Sequence, residues 1–185
     1  MEAPERVRSL TAIASSPLGA GEGQVLLRAL MGRPQPEGSL PEPEFVEFFR
    51  ALMAAPPARD RRALIDSMIA EQRVLHGTGL PFDEDAARRL QERVHGRARD
   101  LSAAANHRLA AGAGPDFEPV DALHRVQAPT LVIEGSHEPV KPGHGAIIAE
   151  QIPGARLMTV AGMGHTLPPE THQELADAIL THTAE

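Results

Sequence analysis

Two short segments of this chain carry side chains that can move protons. Gly135-Ser-His-Glu-Pro139 holds a carboxylate, Glu138, and Gly162-Met-Gly-His-Thr166 holds an imidazole, His165. A carboxylate bonded to one ring N–H of a histidine fixes the tautomer and stabilises the imidazolium formed when the other nitrogen takes a proton. That pairing is the acid–base half of a nucleophilic triad, and acid before histidine, late in the chain, is one of the orders in which such triads occur. The bland reading competes with it. A histidine in a glycine-rich loop is commonly a turn residue, and a glutamate before proline is commonly solvated. A third reading makes His137, Glu138, His144 and His165 metal ligands, since imidazole and carboxylate suit zinc, but their spacing matches no zinc motif.

Both segments follow apolar runs that can position them. Pro129-Thr-Leu-Val-Ile133 is bounded by Pro129 and Gly135 and reads as a strand buried on both faces, as in a parallel sheet. A helix over His144 to Gln151 follows, with Ile147, Ile148 and Ile152 apolar. Ala155 to Val160 reads as a second strand, ending before Gly162. A last helix after Pro168 repeats Leu175, Ala178, Ile179 and His182 at helical spacing. The unit is β-α-β-α, and its short crossover predicts parallel neighbouring strands. Ligands bind an open parallel sheet beyond the C-terminal ends of its strands. Glu138 and His165 should therefore face each other across adjacent strand tips.

The rest of the chain has a different period. Val7 to Ser16 fits a buried strand or a helix end and is stopped by Pro17. From about Gly21 to Gly114 the pattern is helical. Val25 to Met31 is a short apolar helix, and the four prolines between Arg33 and Pro43 require a loop or an extended arm. Phe45, Phe48, Phe49 and Leu52 recur at helical spacing, as do Leu64, Ile65, Met68, Ile69 and Leu75. Ala86, Leu90, Val94, Ala98 and Leu101 predict one buried helix face, with Arg88, Arg89, Arg93 and Arg97 off it on a solvated surface. Gly112-Ala-Gly-Pro115 should end the helical part.

Composition narrows the classes. The chain has 185 residues, 42% of them apolar, enough for one domain with a core. Its formal charge of -7 argues against a nucleic-acid partner, which needs a basic face. There is no cysteine, so disulfides and thiol chemistry are excluded. No apolar run approaches the roughly 18 residues that span a bilayer. The charged start, Met1 to Arg6, lacks an apolar signal region, so a soluble cytoplasmic protein without a membrane partner is expected. With no Tyr or Trp and five Phe, the core must be mainly aliphatic.

From Val120 onward the chain resembles the closing segment of α/β-hydrolases. The resemblance is carried by Ala128-Pro-Thr-Leu-Val-Ile-Glu-Gly135, Glu138-Pro-Val-Lys-Pro142, Ile152-Pro-Gly-Ala-Arg156 and Gly162-Met-Gly-His165, in that order and spacing. Ala3-Pro-Glu-Arg-Val-Arg-Ser-Leu10 also looks like this family, from the helix and strand just after the nucleophile. The branch it most resembles is that of the aclacinomycin-methylesterase-like enzymes, which act on polyketide esters. The resemblance implies an α/β class: a partial α/β-hydrolase fold of about three parallel strands with a helical cap insertion. It divides the chain into a core strand segment (1–20), a helical cap (21–114) and a C-terminal β-α-β-α part of the core (115–185). It also implies that His165 is the general base and Glu138 the triad acid. That acid is usually Asp in the family, and Glu is one methylene longer, so its loop should sit slightly further back. His137 and His144 would be rim residues. No cofactor or metal is implied.

The family's nucleophile elbow, Gly-x-Ser-x-Gly, is not in these residues, because none of Ser9, Ser15, Ser16, Ser39, Ser67, Ser102 and Ser136 has the glycine flanks. The His-Gly segment that supplies an oxyanion donor is also missing. Ser15 and Ser16 end the first strand and read as structural. The expectation is therefore a chain that begins after the nucleophile and is inactive alone. It would hydrolyse a small-molecule carboxylic ester once completed, and could self-associate through an exposed sheet edge. The alternative is a non-catalytic binding or interaction protein built on the same half-fold.

Overall fold

The computed structural model describes residues 6–17, 20–33, 41–56, 58–100 and 119–184. Three parallel strands form one sheet in the order β1 (Leu10–Ile13), β2 (Thr130–Gly135), β3 (Arg156–Val160). Leu10 pairs with Thr130 and Ile13 with Ile133, while Leu131 pairs with Arg156 and Gly135 with Val160. β2 is buried throughout because it has a strand on each side and a helix on each face. Its alternation sorts the core. Leu131 and Ile133 pack with Val160, Met163 and Leu175, and Val132 packs on the other face with Ile148 and Ile152. Those two faces are covered by α6 (His172–Thr183) and α5 (His144–Gln151) respectively. The crossover through α5 sets β2 and β3 side by side, as the short connection predicts.

β1 is shorter than the apolar run around it. Ala14 turns into left-handed backbone (φ 45°) while its N–H still bonds Ile133 O (2.9 Å), which ends the strand at Ile13. Among the described residues β1 pairs only with β2.

Among the described residues four α-helices lie between β1 and β2: α1 (Ala20–Leu30), α2 (Pro43–Ala54), α3 (Arg61–His76) and α4 (Glu84–Arg97). Pro43 opens α2 at a position where its missing N–H costs nothing. Asp60 and Asp83 cap α3 and α4 by accepting from the N–H groups of Ala63 and Ala86, both at 2.8 Å. The proline-rich arm falls partly, and Leu101 with Gly112–Pro115 wholly, outside the described residues.

α4 corrects one expectation. Leu90 and Val94 are 41% and 43% exposed, and the buried face is Ala87, Gln91 and His95. The helix is turned by one position, about 100°, from the face the apolar spacing suggests. Small Ala87 packs against Ile65 and Ile69 of α3, with Phe82 beside them. Next to it Arg88 bonds Asp66 of α3 (2.6 Å) and Glu84 (3.4 Å), which holds that rotation. His95 is satisfied by donating Nδ1–H to Gln91 O at 2.9 Å. Arg89, Arg93 and Arg97 are exposed, as a solvated face requires. No helix among the described residues is long and apolar enough to cross a membrane.

Candidate active site

Glu138 and His165 sit on the loops that leave β2 and β3 at the same end of the sheet. The loops are stitched together by backbone bonds from Ser136 N–H to Val160 O (3.0 Å) and from His137 N–H to Met163 O (2.9 Å). Gly162 N–H adds a third by donating to Ser136 Oγ (2.9 Å). So close an approach needs glycine: a Cβ on Gly135 would fall on the backbone of Met163.

The stitching delivers the pair. His165 Nδ1–H donates to Glu138 Oε2 at 2.8 Å. Glu138 Oε1 accepts from the backbone N–H groups of Val140 (2.8 Å) and Lys141 (3.3 Å) in the turn that follows it. The glutamate side chain is 3% exposed and that of the histidine 33%. The carboxylate is thus enclosed while the imidazole reaches the surface. Burial pushes the Glu138 carboxyl up, but the His165 hydrogen bond, the imidazole's charge and the two backbone donors outweigh it and hold it below the ordinary carboxylate range. An ionised carboxylate at Nδ1 keeps the His165 Nε2 lone pair available to accept a proton. Nε2 has no hydrogen-bond partner among the described residues.

Among the described residues no hydrogen bond joins the others singled out from the sequence to the side chains of this pair. The His137 ring is exposed, with Nδ1 2.9 Å from Ser136 Oγ. His144 opens α5, its backbone N–H on Lys141 O (3.2 Å). Among the described residues no group of three or more His, Asp or Glu is arranged to hold a metal ion. Both Glu138 oxygens are already engaged. Ser16 Oγ accepts from Lys141 Nζ (2.5 Å) and so ties the end of β1 to the acid loop.

Sequence reasoning did not find the support beneath His165. Its backbone N–H donates to Leu75 O (2.8 Å), a carbonyl in the last turn of α3. A Cβ on Gly164 would strike the carbonyl of His76, and one on Gly79 would strike Gly162. No local signal marks these contacts, because they join segments about 90 residues apart.

Comparison with known proteins places this geometry. No protein-family model matches the chain. It is 32% identical over 188 residues to rhodomycin D methylesterase DnrP of Streptomyces peucetius, covering 99% of this chain and 61% of that protein. Rhodomycin D methylesterase DauP of Streptomyces sp. (strain C5) is 32% identical over 185 residues with the same coverage. The chain thus spans about 61% of the length of the curated relatives it matches. Among solved structures, an esterase from Rhodococcus sp. ECU1013 superposes with a TM-score of 0.62 at 17% identity, over 96% of this chain and 56% of that one. The 2-hydroxy-6-oxo-6-phenylhexa-2,4-dienoate hydrolase of Rhodococcus sp. strain RHA1 gives 0.62 at 16% identity, over 100% and 58%.

The chain is α/β-hydrolase-like.

In this α/β-hydrolase-like chain the three parallel strands are part of an α/β fold, as its sequence resemblance implied, and its relatives are esterases and hydrolases. The dyad lies beyond the C-terminal strand ends, where an open parallel sheet binds ligands.

Proposed function

We propose that Glu138 and His165 are the acid and the general base of a carboxylic ester hydrolase whose serine nucleophile comes from a segment outside these 185 residues. The observation that carries the reading is the bond of 2.8 Å between His165 Nδ1 and the enclosed Glu138 carboxylate. In the reaction His165 Nε2 takes the serine proton as Oγ attacks the ester carbonyl, and returns it to the departing alkoxide. Water then attacks the acyl-enzyme as the same base takes its proton, and the acyl–Oγ bond breaks with that proton returned to the serine oxygen, releasing the acid. Glu138 stays ionised throughout, orienting the ring and stabilising the imidazolium. The relatives' name suggests a methyl ester as substrate, and a polyketide methyl ester agrees with the sequence resemblance.

The test is complementation. The nucleophile-bearing segment of a rhodomycin D methylesterase relative, co-expressed with this chain, should give ester turnover that disappears in His165→Ala. Turnover indifferent to His165, or none from a folded complex, overturns the reading. One observation favours the competing view of a non-catalytic binding protein: no described serine bonds His165. A folded complex that holds the ester without cleaving it would support that view.

A further inference from the structure

We infer that His76 is a positioning residue for His165, acting through the hydroxyl of Thr166. His76 closes α3, on the helical segment between β1 and β2, and is 6% exposed. Its Nε2 lies 3.2 Å from Leu80 O, and since a carbonyl only accepts, Nε2 carries the proton. In the neutral ring Nδ1 is then an acceptor and takes the Thr166 Oγ1–H at 3.3 Å. Both ring nitrogens are used. The ring plane is held by the edge of Phe82, 5.3 Å between centroids at 70°, and Phe82 is covered by the Arg73 guanidinium at 4.6 Å. His76 is therefore a fixed acceptor in a fixed orientation.

Thr166 directly follows His165. Three contacts with the end of α3 bracket the backbone of His165: Leu75 O holds the His165 N–H, the His76 carbonyl packs on Gly164, and the His76 ring holds Thr166. The Glu138 side of the dyad is fixed separately by the turn at Val140 and Lys141. The end of α3 thus supports His165 in addition to the bonds that join its loop to the acid loop.

The inference takes its importance from the reading of His165 as the base, but its test reads the dyad bond itself and needs no turnover. The probe is the downfield proton resonance of His165 Nδ1–H, which is shielded from water while bonded to Glu138. Loss of one neutral hydrogen bond should raise its exchange with water by about two- to tenfold in His76→Ala. Thr166→Val keeps the shape and removes only the hydroxyl, so it should do the same even if His76→Ala folds poorly. The double variant should add little, because both changes break one interaction. His76→Asn, whose Oδ1 stands near the Nδ1 position, should recover protection, and His76→Gln should not. Unchanged exchange in Thr166→Val, or a rise that only follows the loss of global stability, overturns the proposal.

Discussion

Glu138 and His165 meet at 2.8 Å across 27 positions because β2 and β3 are parallel neighbours whose loops leave from the same end. The loop bond from His137 N–H to Met163 O lies next to the pair and sets the distance between the two loops. The dyad is therefore a product of sheet register, and its properties can be tested through the carboxylate, the imidazole and the strands beneath.

Acid should weaken the fold through Glu138. Its carboxyl is held below the ordinary range in the folded chain, so the unfolded chain binds its proton first as pH falls. The resulting stability is fully present above the unfolded carboxylate value and is lost as pH drops through the lower folded value. Urea unfolding between neutral and acidic pH should show this decline, and Glu138→Gln should flatten it. At neutral pH the same substitution should cost about 1.5–3 kcal/mol, the range for a bond to a charged group. A Glu138→Gln variant with the parent's acid slope would contradict this account.

The purified chain should not turn over activated esters above background, and a fluorophosphonate should label none of its serines. Mass spectrometry after labelling is the check. Stoichiometric modification of Ser15, Ser16, Ser102 or Ser136, accompanied by turnover, would place a nucleophile within these residues and overturn the need for an outside segment.

In a complemented, active complex, His165→Ala should lower kcat/KM by at least about a thousandfold. Glu138→Gln should lower it less, since the ring keeps its basic nitrogen and loses orientation and charge support. Steady-state kinetics on one ester decides the order, and the reverse order would remove the assignment of base and acid.

Self-association through β1 is expected at micromolar concentration. Leu10 N–H and Ala14 N–H bond β2, so by alternation those of Thr11 and Ile13 point away from it, to the edge with no described strand partner. Thr11→Pro would remove one edge donor and leave the β2 ladder intact. Sedimentation should show larger species for the parent chain and fewer for Thr11→Pro. A parent chain that stays monomeric and binds no hydrophobic dye would show the edge to be protected.

The rotation of α4 has a stability signature. Leu90→Gln should change stability by no more than about 0.5 kcal/mol, as at an exposed site. Ile69→Ala, in the α3–α4 core, should cost about 2–5 kcal/mol. Thermal or denaturant unfolding of both variants is sufficient, and a large loss from Leu90→Gln would restore the face expected from spacing.

The sequence by itself determined the parts whose signal is local. The buried run Thr130 to Ile133, the helix His144–Gln151 and the strand ending at Val160 are each set by apolar period and by proline or glycine at their ends, and they form where the pattern places them. With a crossover too short for anything but adjacent parallel strands, the pairing of Glu138 with His165 was legible as well. The expectation of an exposed edge on β1 came from the family resemblance, whereas the strand's end at Ile13 depends on the turn at Ala14 and has no such signal. The tertiary structure alone decided which face α4 buries. Spacing favours Leu90 and Val94, but a helix turns to fit its neighbour, and Ala87 against Ile65 and Ile69 with Arg88 on Asp66 fits better. It alone also decided that the end of α3 supports His165. The bonds of Leu75 and His76 to the loop at His165 and Thr166 join distant segments, and no periodicity encodes which carbonyl or ring will lie opposite once the chain has packed.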